Sequence, residues 1–342
     1  MPHSATVRTH TMTVAILAIC LAGISTGKQT SQPLYGILTQ PALINNVPIA
    51  RSRPSDLSAS YIFKMYEQMV TAAGGMTMAI PYDLPIRKLN EVLPYLNGIL
   101  IPGGDTGSKR DKEYSQRVAF IMHWAQARNI EGEHFSIIAI DKGLHELMRA
   151  SDLGDESVIE CGISNFNFSR HLDIDKTALH NSKILKSLPE ADMDYVLTTS
   201  ITVPFSHNCS IPVEKFKESK ALTGKYNLIA TATKNSHPIF LALVEHKVYP
   251  FVGMQFRPDV IAYKTGNYIV KDRRIVTFYR KLVSKLVFGG RMDNLKSIDE
   301  LPISIQNLLM YKDSTALGYH ATGSIYIYRR WMAGRDIDIP TE

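Results

Sequence analysis

The sequence is sparing with the signatures that most quickly narrow a function. Only three cysteines occur in 342 residues, Cys20, Cys161 and Cys209, too few for their spacing to define a disulfide framework. There is no long Lys/Arg run and no basic stripe interleaved with aromatics. The net charge of +6 therefore describes a solvated basic surface and points away from nucleic acid as a partner. After the first thirty residues no stretch is apolar enough to span a bilayer. Internal repeats, low-complexity tracts and long linkers are also missing, which leaves one compact domain with a C-terminal extension as the simplest organisation. Hydrophobic and charged contents of 45% and 20% are those of an ordinary globular chain.

The N-terminus carries a targeting pattern. Arg8 and His10 sit in a short polar region, Met12 to Gly23 form an apolar run too short to span comfortably, and small residues Ser25 and Gly27 precede Lys28. Residues 1–27 are expected to be a secretory signal, with no membrane association after its removal and an extracellular or lysosomal destination. In that oxidising route Cys161 and Cys209 have the option of pairing, which two residues alone do not establish. Asn167-Phe168-Ser169 and Asn208-Cys209-Ser210 fit the N-glycosylation pattern, a common chance match.

Pro33 to Gln40 reads as a first core strand. Ser55 or Asp56 is expected to cap a helix whose apolar face is Tyr61, Met65, Met69 and Ala73. Met76 to Ile80 reads as a strand, Leu84 to Leu93 as a short helix, and Asn97 to Ile101 as a buried strand running into Pro102-Gly103-Gly104. Tyr114 to Arg128 is amphipathic, with Val118, Ile121, Met122 and Ala125 on one face. Strand, helix, strand, helix, strand implies a mostly parallel sheet covered on both sides. The second half adds strands at Leu228 to Thr233, Ile239 to Val244 and Pro250 to Phe256, then a helix over Asp272 to Phe288 ended by Gly289-Gly290. The last fifty residues show little regular pattern apart from a strand at Ser324 to Tyr328.

One stretch stands out chemically. Phe135 to Ile140 is apolar, Asp141-Lys142-Gly143 breaks it, and Leu144, Leu147 and Met148 resume at helical spacing. A strand turning sharply into a helix pushes one side chain into a cleft and aims the first helical N–H groups at the same place. Hydrolases put a serine or cysteine there; this chain has Asp141.

Three motifs in order, Asn97 to Gly104, the turn at Asp141, and Tyr249-Pro250-Phe251-Val252-Gly253-Met254-Gln255-Phe256-Arg257-Pro258, resemble the γ-glutamyl hydrolase family. Ser187-Leu188-Pro189, Phe205 to Phe216 and Leu243-Val244-Glu245-His246 add further likeness, and the tail resembles that of insect members. The resemblance runs from about Pro33 to Phe288, so a domain at 33–290 and an extension at 291–342 are expected. It implies a class I glutamine-amidotransferase-like, flavodoxin-like three-layer sandwich with a mostly parallel central sheet flanked by helices. It also implies hydrolysis of γ-glutamyl bonds in folate polyglutamates, no cofactor, no metal, and a homodimer. The family pairs a cysteine nucleophile at the turn with a histidine base, and holds the oxyanion on backbone N–H groups.

This chain keeps Gly103, Gly104, Gly143, Gln255 and Pro258 and changes the reacting groups. Asp141 stands at the nucleophile position and Arg257 at the base position. His145 and Asp259 stand where the family has glutamates. Lys142, Gly103 and Gly104 fall at substrate or oxyanion positions, and His207 at that of a pocket histidine. Arginine does not release its proton near neutrality, so it cannot serve as a base. The paired replacement implies a protein without the family's catalysis, and a salt bridge between Asp141 and Arg257 closing the old site. Two alternatives stay open. One is an enzyme using Asp141 with His145 or His207 as base. The other is a secreted protein that binds a γ-glutamyl or folate ligand, or serves a structural role.

Overall fold

A computed structural model of the chain describes residues 32–41, 60–104, 111–192, 195, 202–233, 238–263, 272–289, 301–306, 317–320 and 323–328. The expected signal segment with Cys20, the capping residues Ser55 and Asp56, and Gly290 lie outside them. Among the described residues no helix is long and apolar enough to cross a membrane.

The strands are β1 (Leu34–Leu38), β2 (Gln40–Pro41), β3 (Ser60–Phe63), β4 (Met76–Ile80), β5 (Gly98–Ile101), β6 (Ser136–Ile140), β7 (Glu160–His171), β8 (Asp173–Ile174), β9 (Thr202–Ser210), β10 (Tyr226–Ala232), β11 (Phe240–His246), β12 (Phe251–Met254), β13 (Leu317–His320) and β14 (Gly323–Tyr328). The central sheet has the order β4-β1-β5-β6-β12-β11-β10-β8. Its first five strands are mutually parallel, and each of the remaining three pairs antiparallel with the strand before it in that order. The expected mostly parallel sheet flanked by helices is therefore present.

Its strands read as continuous apolar runs because both faces are covered, and the two-residue period of a strand sorts each run between two cores. Tyr35, Ile37, Leu100, Ile138 and Ile140 join one core with α1 (Lys64–Ala72) and the long helix Arg273–Gly289. Leu34, Leu38, Ile99, Ile101, Ile137 and Ala139 join the other, covered by α2 (Ile86–Val92), α3 (Asp111–Ile130) and α4 (Lys142–Ser151).

Two features differ from the sequence reading. Ser60 to Phe63 is a strand, with the helix starting only at Lys64. The helical spacing from Tyr61 to Ala73 is genuine from Met65 onward. Tyr61, Ile62 and Phe63 are aromatic or β-branched, and they pair with β14 on one edge and β2 on the other. The tail thus contributes to structure: its strand at Gly323–Tyr328 sits in a four-stranded sheet of order β13-β14-β3-β2.

The second is the β7–β9 ribbon, where Cys161 lies directly opposite Cys209 and the two are bonded. The bond spans 48 positions of sequence, a separation at which closing the unfolded chain is costly. Replacing both cysteines by serine is expected to lower the unfolding free energy by about 2–5 kcal/mol. Denaturant titration should read this, and the wild-type chain should show the same loss when reductant is added.

Candidate functional site

The turn after β6 has the geometry of a strained elbow. Asp141 has φ 55° and ψ −116°, a backbone region that costs a side-chain-bearing residue about 1–3 kcal/mol and persists only where its surroundings impose it. They do so on three sides. Asp141 N–H donates to the Met254 carbonyl at 2.7 Å, tying the turn to the end of β12. His145 N–H donates back to the Asp141 carbonyl at 3.3 Å, starting α4. A Cβ on Gly143 would lie 2.0 Å from the Ile101 carbonyl oxygen, so only glycine lets the first turn of α4 pack this tightly on β5.

The Asp141 carboxylate does not cap α4. Its Oδ1 accepts from Gln255 Nε2 at 3.0 Å, and Gln255 Oε1 lies 2.7 Å from His145 Nε2. The chain of bonds fixes the protons. A carboxylate only accepts, so Gln255 must turn its NH₂ toward Asp141 and its oxygen toward His145. His145 then carries its hydrogen on Nε2 and donates it. Burial lowers the His145 pKa to about 4, the Gln255 bond opposing it in smaller measure and the Lys142 charge adding to it. The imidazole is thus neutral at physiological pH, with an amide standing between it and Asp141.

That depressed value has a consequence for stability. Unfolded His145 takes up a proton near pH 6.5 and the folded form only near pH 4. The stabilisation is therefore complete above pH 6.5 and is lost as pH falls toward 4. The loss is roughly 3 kcal/mol at about 1.4 kcal/mol per unit. A His145→Gln variant should flatten this part of the stability–pH curve, and an NMR titration of the His145 ring should give a midpoint near 4.

Arg257 follows β12 and sits at the start of the helix Pro258–Tyr263. The salt bridge expected between Arg257 and Asp141 is not the one that forms. Arg257 pairs with Asp259, Nε reaching Oδ1 at 2.9 Å and Nη2 reaching Oδ2 at 2.6 Å. Asp259 is two residues away and presents both oxygens to the guanidinium fork, whereas Asp141 is engaged by Gln255. Burial, the largest single effect, works to lower the Arg257 pKa, but Asp259, Tyr66 and Asp141 together outweigh it, and the group stays firmly charged. The guanidinium lies over the rings of Phe63, at 5.3 Å, and Tyr66, at 4.8 Å, a cation–π arrangement that partly offsets its loss of water.

Tyr66, which no pattern in the sequence singles out, fills the remaining place. Its hydroxyl accepts the Gly103 N–H at 2.9 Å, the donor expected to hold an oxyanion. Burial raises its pKa well above that of a free phenol. A Cβ at Gly103 would come within 2.8 Å of Asp141 and 2.9 Å of the Tyr66 hydroxyl, so glycine allows the close approach. Gly104 lies against Gln40, whose amide donates to the Pro102 carbonyl at 2.9 Å and also reaches the Tyr114 hydroxyl. Lys142 is buried with its ammonium 5.4 Å above the Tyr114 ring.

Asp141, His145, Gln255, Arg257, Asp259, Lys142, Tyr66 and Gly103 thus converge at the C-terminal edge of the parallel strands. Gly103 is buried, and each of the other residues is at most 6% exposed. His207 lies on β9, packed between Phe205 at 5.8 Å and Phe240 at 5.1 Å, and donates from Nδ1 to the Cys209 carbonyl. β9 reaches the site through the Pro204 carbonyl, which accepts from Arg257 N–H. Among the described residues no group of three or more His, Cys, Asp or Glu side chains is placed to hold a metal ion.

Comparison with known proteins agrees with the geometry. Residues 42–148 match the Peptidase C26 family. The chain is 26% identical over 235 residues to gamma-glutamyl hydrolase B of Dictyostelium discoideum, an alignment covering 68% of this chain and 63% of that protein. Gamma-glutamyl hydrolase 1 of Arabidopsis thaliana is 25% identical over 303 residues, covering 87% and 83%. The gamma-glutamyl hydrolase of Mus musculus is 24% identical over 266 residues, covering 74% and 78%. The chain therefore spans less than two thirds of the Dictyostelium protein it matches. Together these matches support the gamma-glutamyl hydrolase family.

Proposed function

We propose that this chain, similar to gamma-glutamyl hydrolases along most of its length, keeps their scaffold and has exchanged their chemistry for a closed, self-satisfied polar core that does not cleave γ-glutamyl bonds. The observation that carries this reading is the use of every reacting position in an internal contact. The elbow holds a carboxylate engaged by Gln255. The position of the base holds a guanidinium bound to Asp259. The oxyanion donor of Gly103 is taken by Tyr66. An amide bond needs a stronger nucleophile than a carboxylate, a base to take a proton, and a donor for the developing oxyanion. In this chain the nucleophile and base positions carry a carboxylate and a guanidinium, and the Gly103 donor is already bonded.

A second reading has one observation in its favour. The strained elbow is preserved at Asp141, and such strain is the kind retained where a side chain must be presented. In that reading Asp141 acts as nucleophile and a histidine as base. The bonding of His145 weighs against it, because its Nε2 proton faces an amide oxygen and its pKa is low. Release of glutamate from a γ-glutamyl oligoglutamate by the purified chain, abolished in Asp141→Ala, would establish the second reading and overturn the first. Equal, background-level release by both proteins is the expected result.

The setting we infer is the secretory route, outside the cell or in lysosomes. The Cys161–Cys209 bond supports an oxidising compartment, as does the apolar segment Met12 to Gly23 with its small-residue flank.

A further inference from the structure

We propose that the C-terminal hairpin of β13 and β14 is a clamp that keeps Tyr66 seated on the Gly103 amide and so holds the elbow site shut. This rests on the proposed function only in taking the site as the functional centre of the fold.

The strand that links the hairpin to the site is β3. It has four residues and is bordered on both edges. β2 supplies two paired positions, Gln40 with Tyr61 and Pro41 with Ser60. β14 pairs with all four, Ile325 with Phe63, Tyr326 with Ile62, Ile327 with Tyr61 and Tyr328 with Ser60. A two-residue partner alone makes a weak ribbon, so β14 supplies most of the β3 backbone pairing, beside the burial of Tyr61, Ile62 and Phe63 in the core. β3 then passes without a loop into α1: Phe63 is the last strand residue and Lys64 the first helical one. No slack separates the β14 ladder from the two rings that close the site. Phe63 covers Arg257 from within the ladder, and Tyr66 covers it one turn later while accepting from Gly103.

The covered groups are donors. Gly103 N–H gives its hydrogen bond to a side-chain hydroxyl rather than to the backbone. Arg257 uses Nε and Nη2 on Asp259, and its Nη1 makes no hydrogen bond among the described residues. Release of β14 frees β3, lets Tyr66 withdraw and uncovers a backbone donor beside a charged guanidinium. The eight strands of the central sheet exclude β14, so its release needs no change there.

The test compares amide hydrogen exchange in the full chain and in two altered forms. One carries a specific protease site within residues 307–316, cut after folding. The other is the uncut Ile325→Pro variant, in which a ring replaces a residue paired with Phe63. Exchange at Tyr61 to Phe63 and at Gly103 should rise together at least tenfold, while β7 and β6 stay protected. The clamp is refuted if β3 exchange rises and Gly103 does not follow, or if neither changes. General loss of protection in the cut chain refutes it as well, because the hairpin would then be an integral part of the fold. If Ile325→Pro alone unfolds, the cut chain, folded with its hairpin in place, decides between these outcomes. A failed clamp leaves the proposed function untouched, since that is decided by glutamate release from the intact chain.

Discussion

Purified chain offered a γ-glutamyl oligoglutamate is expected to release glutamate at a rate on the order of a millionfold below that of a working nucleophile–base pair. The magnitude follows from how such pairs fail. Nucleophile and base act as a unit, so losing either one costs nearly as much as losing both. On the proposed reading both positions are changed, to Asp141 and Arg257. The oxyanion donor, which alone is worth about 10²–10³ in rate, is also bonded to Tyr66. The informative counterpart is Asp141→Cys/Arg257→His. It places a thiol on the strained elbow and an imidazole two residues before Asp259, a carboxylate positioned to orient it. Release should rise above background in that variant and rise again when Tyr66→Phe vacates the Gly103 amide. A glutamate-coupled assay with all three proteins at equal concentration reads the series. Turnover by the unaltered chain near that of a working hydrolase would reject the proposed function.

Loss of the guanidinium should be costly to the fold. Arg257→Met is expected to destabilise the protein by about 3–5 kcal/mol, the typical result of leaving one member of a buried ion pair without its partner. Asp259 is fully buried and bonded through both oxygens to Arg257, so its charge would have neither water nor counter-ion. Methionine keeps part of the contact with Phe63 and Tyr66, which isolates the charge effect from a cavity effect. Removing the charge from both sides should restore stability. Arg257→Met/Asp259→Leu is expected within about 1–2 kcal/mol of the parent, because well-packed apolar replacements of buried pairs are often neutral. Urea unfolding of the three proteins measures the cycle. A single variant as stable as the parent would mean that Asp259 is not held as a carboxylate by Arg257. The pair is then an internal brace occupying the position that the resemblance assigns to a base.

How far the site was legible differs residue by residue. Asp141 could be located because a buried strand, a break and a helical period follow one another within fourteen residues, and because Gly143 marks a close approach. The structure bears this out with a positive φ at Asp141 and no room for a Cβ at Gly143. The partner of Arg257 could not be chosen from sequence. The sequence reading pairs it with Asp141, whereas Asp259 takes that place because it meets the guanidinium with two oxygens. Tyr66 carried no signal at all, since its spacing on the helix is that of a core residue, and its hydroxyl matters only because β5 ends beside it. Likewise, Tyr61 to Phe63 follow the helical period closely enough to be read as helix. Their strand conformation comes from β14, more than 250 positions away in the chain.

By itself, then, the sequence determined the parallel sheet, the helices on its two faces and the place of the elbow. These follow from short-range periodicity, glycines at close approaches, and the chemical identity of single side chains. Only the tertiary structure decided that Arg257 binds Asp259, that Gln255 separates His145 from Asp141, that Cys161 meets Cys209, and that Tyr66 closes the Gly103 amide. Each of these depends on the distance and direction between groups on different elements. Hydrogen bonds and ion pairs are won by angstrom-scale geometry, which the order of residues along a chain does not contain.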